Sequence, residues 1–129
     1  MGTDLEIKAG QAAVNETNLY YEIVGSGTPV LFIHGNFGDR RHWDDQFLVF
    51  ARKHRVIRYD VRGFGRSALP IEGQPYSHHR DAAELLRFLA IQGAHIIGLS
   101  MGAGIAVRSL HPMRLIVHQM LRYRSCFLP

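Results

Sequence analysis

Five consecutive residues, Gly98-Leu99-Ser100-Met101-Gly102, constrain this chain more than any others. They join a short apolar run at residues 95–99 to a stretch of small and apolar residues at 101–110. The first run reads as a buried strand and the second as a helix, so the serine sits on the turn between them. Such a turn is tight enough to strain its backbone, and glycine at both flanks removes Cβ atoms that would collide. The serine Oγ is then raised at the sheet edge above a helix N-terminus. The N–H of Met101 points to where a negatively charged oxygen would form. The same glycines also admit another reading, a βα turn that cradles a phosphate or dinucleotide.

The rest of the chain supplies a matching framework. Residues 11–14 and 19–24 form a β-hairpin about a polar turn, Asn15-Glu16-Thr17, and Gly25-Ser26-Gly27 ends it. Pro29 opens the run 30–33, whose branched and aromatic residues suit a strand buried on both faces. Residues 41–53 carry Trp43, Phe47, Leu48, Phe50 and Ala51 at helical spacing, with Trp43 and Phe47 read as core rather than as a substrate box. Residues 55–60 are a further strand, and 62–75 a glycine- and proline-bearing loop. Ser77 is placed to cap a helix through Gln92 with Ala82, Leu85, Leu86 and Leu89 on its apolar face. This alternation predicts an α/β fold, a hairpin and then parallel strands with right-handed crossover helices. Ligands of such sheets bind at the carboxyl ends of the strands. The three loops there begin at His34-Gly35, at Asp60-Val61-Arg62-Gly63 and at Ser100.

Those loops carry His34-Gly35-Asn36-Phe37-Gly38, Asp60-Val61-Arg62-Gly63-Phe64-Gly65-Arg66-Ser67 and the serine turn, in that order. Together they resemble the α/β-hydrolase family, in particular its small esterases, lactonases, C–C hydrolases and haloperoxidase-like members, over about residues 11–107. The resemblance implies that Ser100 is a nucleophile on a nucleophile elbow. It implies an oxyanion hole formed by the backbone N–H groups of Met101 and Asn36. His34 would orient its loop rather than act as a base, and Asp60 and Arg62 would tie theirs by an ion pair or hydrogen bonds. Gly35, Gly63, Gly98 and Gly102 belong to the structural motifs, and Phe37 would line the acyl pocket. The reaction implied is hydrolysis of a small ester, lactone or related carbonyl substrate through an acyl-serine, with no cofactor. Serine at this position argues against haloalkane dehalogenases and epoxide hydrolases, which place Asp there.

The resemblance stops short of a complete machine. The family order is Ser, then Asp or Glu, then His. No carboxylate follows Ser100, the last being Glu84, while His111 and His118 do follow it. His111-Pro112-Met113-Arg114 comes about one turn earlier than a similar His-Pro-Glu-Arg turn in relatives, and residues 115–117 are a candidate next strand. The chain therefore reads as residues 1–107 of hydrolase character and a divergent basic tail at 108–129. A truncated or frame-altered product is the expectation, with genuine shortening as the competing explanation. Little or no turnover follows, along with an open sheet edge that invites self-association. The alternative from another class is a non-catalytic binding or interaction protein that keeps the scaffold.

Composition removes other classes. The net charge of +4 resides entirely in Arg108, Arg114, Arg122 and Arg124, since residues 1–104 balance 11 basic against 11 acidic side chains. A neutral body with a small basic tail is not a nucleic-acid footprint. No apolar run approaches the roughly 20 residues of a membrane span. Residues 1–10 have no apolar core for a secretory signal, and Glu6 stands where a myristoylation site wants Ser or Thr. The single cysteine, Cys126, fits a reducing, cytoplasmic setting. His78-His79 point to different sides of a helix start, so no metal site is expected.

Overall fold

The computed structural model describes residues 5–109 and the strand Ile116–Val117. Strands β1 (Lys8–Val14) and β2 (Thr17–Val24) form the hairpin; β3 (Pro29–Ile33), β4 (Arg55–Tyr59), β5 (His95–Gly98) and β6 (Ile116–Val117) follow. Helices α1 (Asp44–Phe50), α2 (His78–Phe88) and α3 (Met101–Arg108) lie between them. The sheet order is β1-β2-β4-β3-β5-β6. β1 and β2 are antiparallel to their neighbours, and β4, β3, β5 and β6 are mutually parallel. The expected α/β architecture is present.

The hairpin turn is tighter than the sequence suggested. Asn15 and Glu16 both take left-handed conformations, with φ of 50° and 61°, the signature of a two-residue turn. Thr17 therefore pairs with Val14 as the first residue of β2 and is not part of the turn.

β3 is covered on both faces, as its apolar run requires. Leu31 and Ile33 join Ile57, Tyr59 and Ile96 in a core closed by Ala82, Leu85 and Leu86 of α2 and Ile105 and Ala106 of α3. Val30 and Phe32 face the other way, against Val24, Val56, Trp43, Phe47 and Ala51. The Phe32 and Trp43 rings stack at 4.5 Å.

Three helix expectations change. The helix foreseen at 41–53 is a 3-10 turn, Arg40–Trp43, running into the short α1. The Asp39 carboxylate starts it by accepting the Arg41 N–H at 2.9 Å. Leu48 is 44% exposed, so α1 buries only Phe47. α2 stops at Phe88 rather than Gln92 because Ala90 turns left-handed, with φ 58°. Ala90 N–H then donates to Arg87 O and Ile91 N–H to Leu86 O, the paired bonds of a Schellman ending. Ser77 occupies the N-cap position, but its side chain makes no capping bond. α3 ends at Arg108; the expected Leu110 lies outside the described residues. The edge of β5 foreseen as open is paired with β6 at His95 and Ile96. Among the described residues no helix is long and apolar enough to cross a membrane.

Candidate active site

Leu99 N–H donates to Ile33 O at 3.1 Å, so β5 stays locked to β3 up to the turn. Ser100 then takes φ 55° and ψ −112°, a conformation that costs a non-glycine residue about 1–3 kcal/mol. The chain reverses within one residue, and α3 starts at once. Close approach explains both flanking glycines. A Cβ on Gly98 would stand 2.2 Å from Gly102 O, and one on Gly102 would stand 2.2 Å from Ile33 O. The result is an exposed serine between two buried glycines.

The loop after β3 sits directly against this hinge. A Cβ on Gly35 would lie 3.2 Å from Leu99 O and 3.6 Å from the Ser100 Cβ. Asn36, the next residue, is exposed. Among the described residues neither the Asn36 N–H nor the Met101 N–H meets an acceptor. For Met101 the reason is general, since the first N–H groups of a helix have no intrahelical partner. The exposed Ser100 thus directly precedes one uncommitted N–H, that of Met101, and packs against residue 35 of the loop that carries the other at Asn36. This arrangement suits attack on a carbonyl whose oxygen becomes negative.

His34 is fully buried and has both ring nitrogens engaged. Its Nε2 accepts the Val61 N–H at 2.9 Å, so its Nδ1 carries the proton and donates to Gly35 O at 2.8 Å. Burial pushes the ring below the ordinary histidine pKa and outweighs the opposing pull of Gly35 O and Asp60. A neutral ring whose one lone pair is occupied has no means of taking a proton from Ser100.

Asp60 and Arg62 tie the second loop, but each to its own partner rather than to the other. The buried Asp60 carboxylate accepts from Arg40 N–H (2.8 Å), Arg40 guanidinium (2.9 Å) and Arg66 N–H (2.9 Å). A Cβ on Gly65 would overlap that carboxylate. Arg62 forks onto Asp81 of α2 at 2.9 and 2.8 Å and also donates to Asn15 O. Gly63, Phe64, Arg66 and Ser67 N–H groups are all spent on Ala68 O, Val61 O, Asp60 and Phe64 O.

Phe37 is 96% exposed at φ 64° and encloses nothing among the described residues. A cleft of about 480 Å³ runs along α3 between Met101, Ile105 and Arg108 and the α2 start at Tyr76–His79; Ser100 does not line it. No group of three or more potential metal ligands occurs among the described residues.

Sequence reasoning missed the buried charge network that continues from Asp60. Arg40 bridges Asp60 and Glu22, with its guanidinium 4.6 Å above the Tyr20 ring. Arg58 joins Glu22 at 2.8 Å and Asp44 at 2.6 Å. Burial alone would raise the Glu22 carboxyl, but hydrogen bonds from Tyr20, Arg58 and Arg40 outweigh it and hold it below the usual range.

Residues 30–126 match the alpha/beta hydrolase family. The chain belongs to that family. A non-heme chloroperoxidase from Streptomyces lividans is 40% identical over 96 residues, covering 71% of this chain and 35% of the relative. A solved structure described as an N-acyl homoserine lactone degrading enzyme, Est816, superposes with a TM-score of 0.76 at 32% identity, over 82% of this chain and 42% of that one. An epoxide hydrolase variant from Vigna radiata superposes with a TM-score of 0.78 at 27% identity, over 85% and 36%. The chain thus spans well under half the length of these relatives.

Proposed function

We propose that this α/β-hydrolase chain carries the nucleophile and oxyanion hole of a hydrolase for a small ester, lactone or related carbonyl substrate. Ser100 Oγ attacks the carbonyl carbon, and the displaced C=O electron pair gathers on oxygen between the N–H groups of Met101 and Asn36. The Ser100 proton passes to solvent water. Collapse of the intermediate re-forms the C=O bond and breaks the bond to the leaving oxygen, which takes a proton from water and departs as the alcohol. The acyl-serine left behind is then cleaved by water. Phe37, beside Asn36, offers an apolar surface to the acyl group. The observation that carries the reading is the exposed Ser100 at positive φ, on an elbow closed by Gly98 and Gly102. The lactone-degrading relative supports the substrate class.

The proton on Ser100 is the weak link. His34 has no free lone pair, and no carboxylate follows Ser100 to orient another base. The 129 residues alone therefore acylate and deacylate slowly. Incubation of the folded chain with a fluorophosphonate probe tests this, because the probe forms a stable bond to a serine nucleophile. Slow labelling that disappears in Ser100→Ala is expected. Labelling that survives Ser100→Ala, or none in a folded sample, contradicts the proposal and favours a non-catalytic scaffold.

A further inference from the structure

His42 has no role in the reading above, yet it holds the oxyanion loop. Its Nδ1 accepts the Gly35 N–H at 3.2 Å. Its ring also occupies the space beside Gly38, where a Cβ would stand 2.0 Å from Nε2. The ring meets His34 edge-on, with centroids 6.0 Å apart. Gly35 is thus gripped at both polar groups, its N–H by His42 and its C=O by His34. The second grip matters because Gly35 C=O and Asn36 N–H belong to one planar trans peptide and point in opposite directions. Fixing the carbonyl aims the amide. That carbonyl grip belongs to His34, whereas His42 holds the N–H of the preceding peptide and packs against Gly38. Glycine has the freest backbone of any residue, so without His42 the chain pivots about the Gly35 Cα and residues 36–38 lose their seat.

We propose that His42 is a positioning residue for the oxyanion donor, seating residues 35–38 so that the Asn36 N–H faces the elbow. This rests on the acyl-serine reading of Ser100 and Asn36. The geometry makes a specific demand: an acceptor at the position of Nδ1. Asparagine places its Oδ1 close to that position, and alanine places nothing there.

The test compares His42→Ala and His42→Asn in the full chain by two measurements. One is the second-order rate of Ser100 labelling by a fluorophosphonate, and the other is hydrogen exchange of the Gly35 amide. In His42→Ala the labelling rate should fall about tenfold, as for partial loss of one oxyanion donor, and the Gly35 amide should lose protection. In His42→Asn both should stay within about twofold of the parent, since the acceptor is restored. Unchanged labelling and exchange in His42→Ala overturn the proposal. So does an equal loss in both variants, which would mean the ring only fills space. Were labelling independent of Ser100, the acyl-serine reading would fail instead, and the positioning role would fail with it. The Gly35 exchange would then still report whether His42 grips the loop.

Discussion

Ser100 holds a left-handed backbone that its own side chain disfavours, and the neighbours that force it there are identifiable atoms. Gly98 and Gly102 pack backbone on backbone, and Gly102 rests against the Ile33 and His34 carbonyls. This was legible, because the spacing Gly-x-Ser-x-Gly between a strand and a helix has few other uses. The direction of the expected strain follows from the same geometry. Ser100→Gly should raise stability by about 1 kcal/mol, measured by urea unfolding, while ending reaction at this position. No gain would mean that the hinge imposes no strain. Partners at this scale were not legible. Asp60 and Arg62 are two residues apart in sequence, but their charges meet Arg40 and Asp81, which lie 20 and 19 residues away. No local pattern encodes those pairings.

The strands could be read in the sequence to within a few residues because burial on one or both faces shows as alternation or as a continuous apolar run. Helix ends were less legible, and α2 shows why. Its apolar face continues to Leu89, so periodicity suggests that the helix goes on. What ends it is a left-handed residue, and that residue is Ala90 rather than glycine. Alanine pays about 1 kcal/mol or more there. Ala90 is exposed, so replacing it disturbs no packing. Ala90→Gly is expected to stabilise the fold by up to about 1 kcal/mol in urea unfolding. A loss of stability would show that the Schellman ending is not formed in solution. The 3-10 start at Arg40 was missed for a related reason. It depends on Asp39 reaching back to the Arg41 N–H and on Arg40 turning inward to Asp60.

Across the whole molecule the sheet is stabilised by two apolar layers, with a buried cluster of Glu22, Arg40, Arg58 and Asp60 beside one of them. Such a cluster is costly to break from one side, because it leaves the opposite charge buried without a partner. Buried titratable groups also make stability depend on pH. His34 and His78 both titrate below the ordinary histidine value, chiefly through burial. The unfolded chain therefore binds more protons once the pH drops below about 6.5. Their contribution is complete above that value and is lost as pH falls through the folded-state pKa values. Glu22, also depressed, adds a second loss below about 4.3. Urea unfolding should thus show a plateau near neutrality and a decline beginning below about pH 6.5. His34→Gln should flatten the first part of that decline. A flat profile down to pH 5 would contradict the buried, neutral His34.

Ser100 Oγ is the nucleophile that takes up the acyl group. That proposed role is tested most directly by intact mass and peptide mapping of the folded chain after exposure to an activated ester such as 4-nitrophenyl acetate. The expected result is one acyl group on the peptide containing Ser100, slow to hydrolyse and absent in Ser100→Ala. A folded chain that gains no acyl group, or gains it at another residue, would contradict the account.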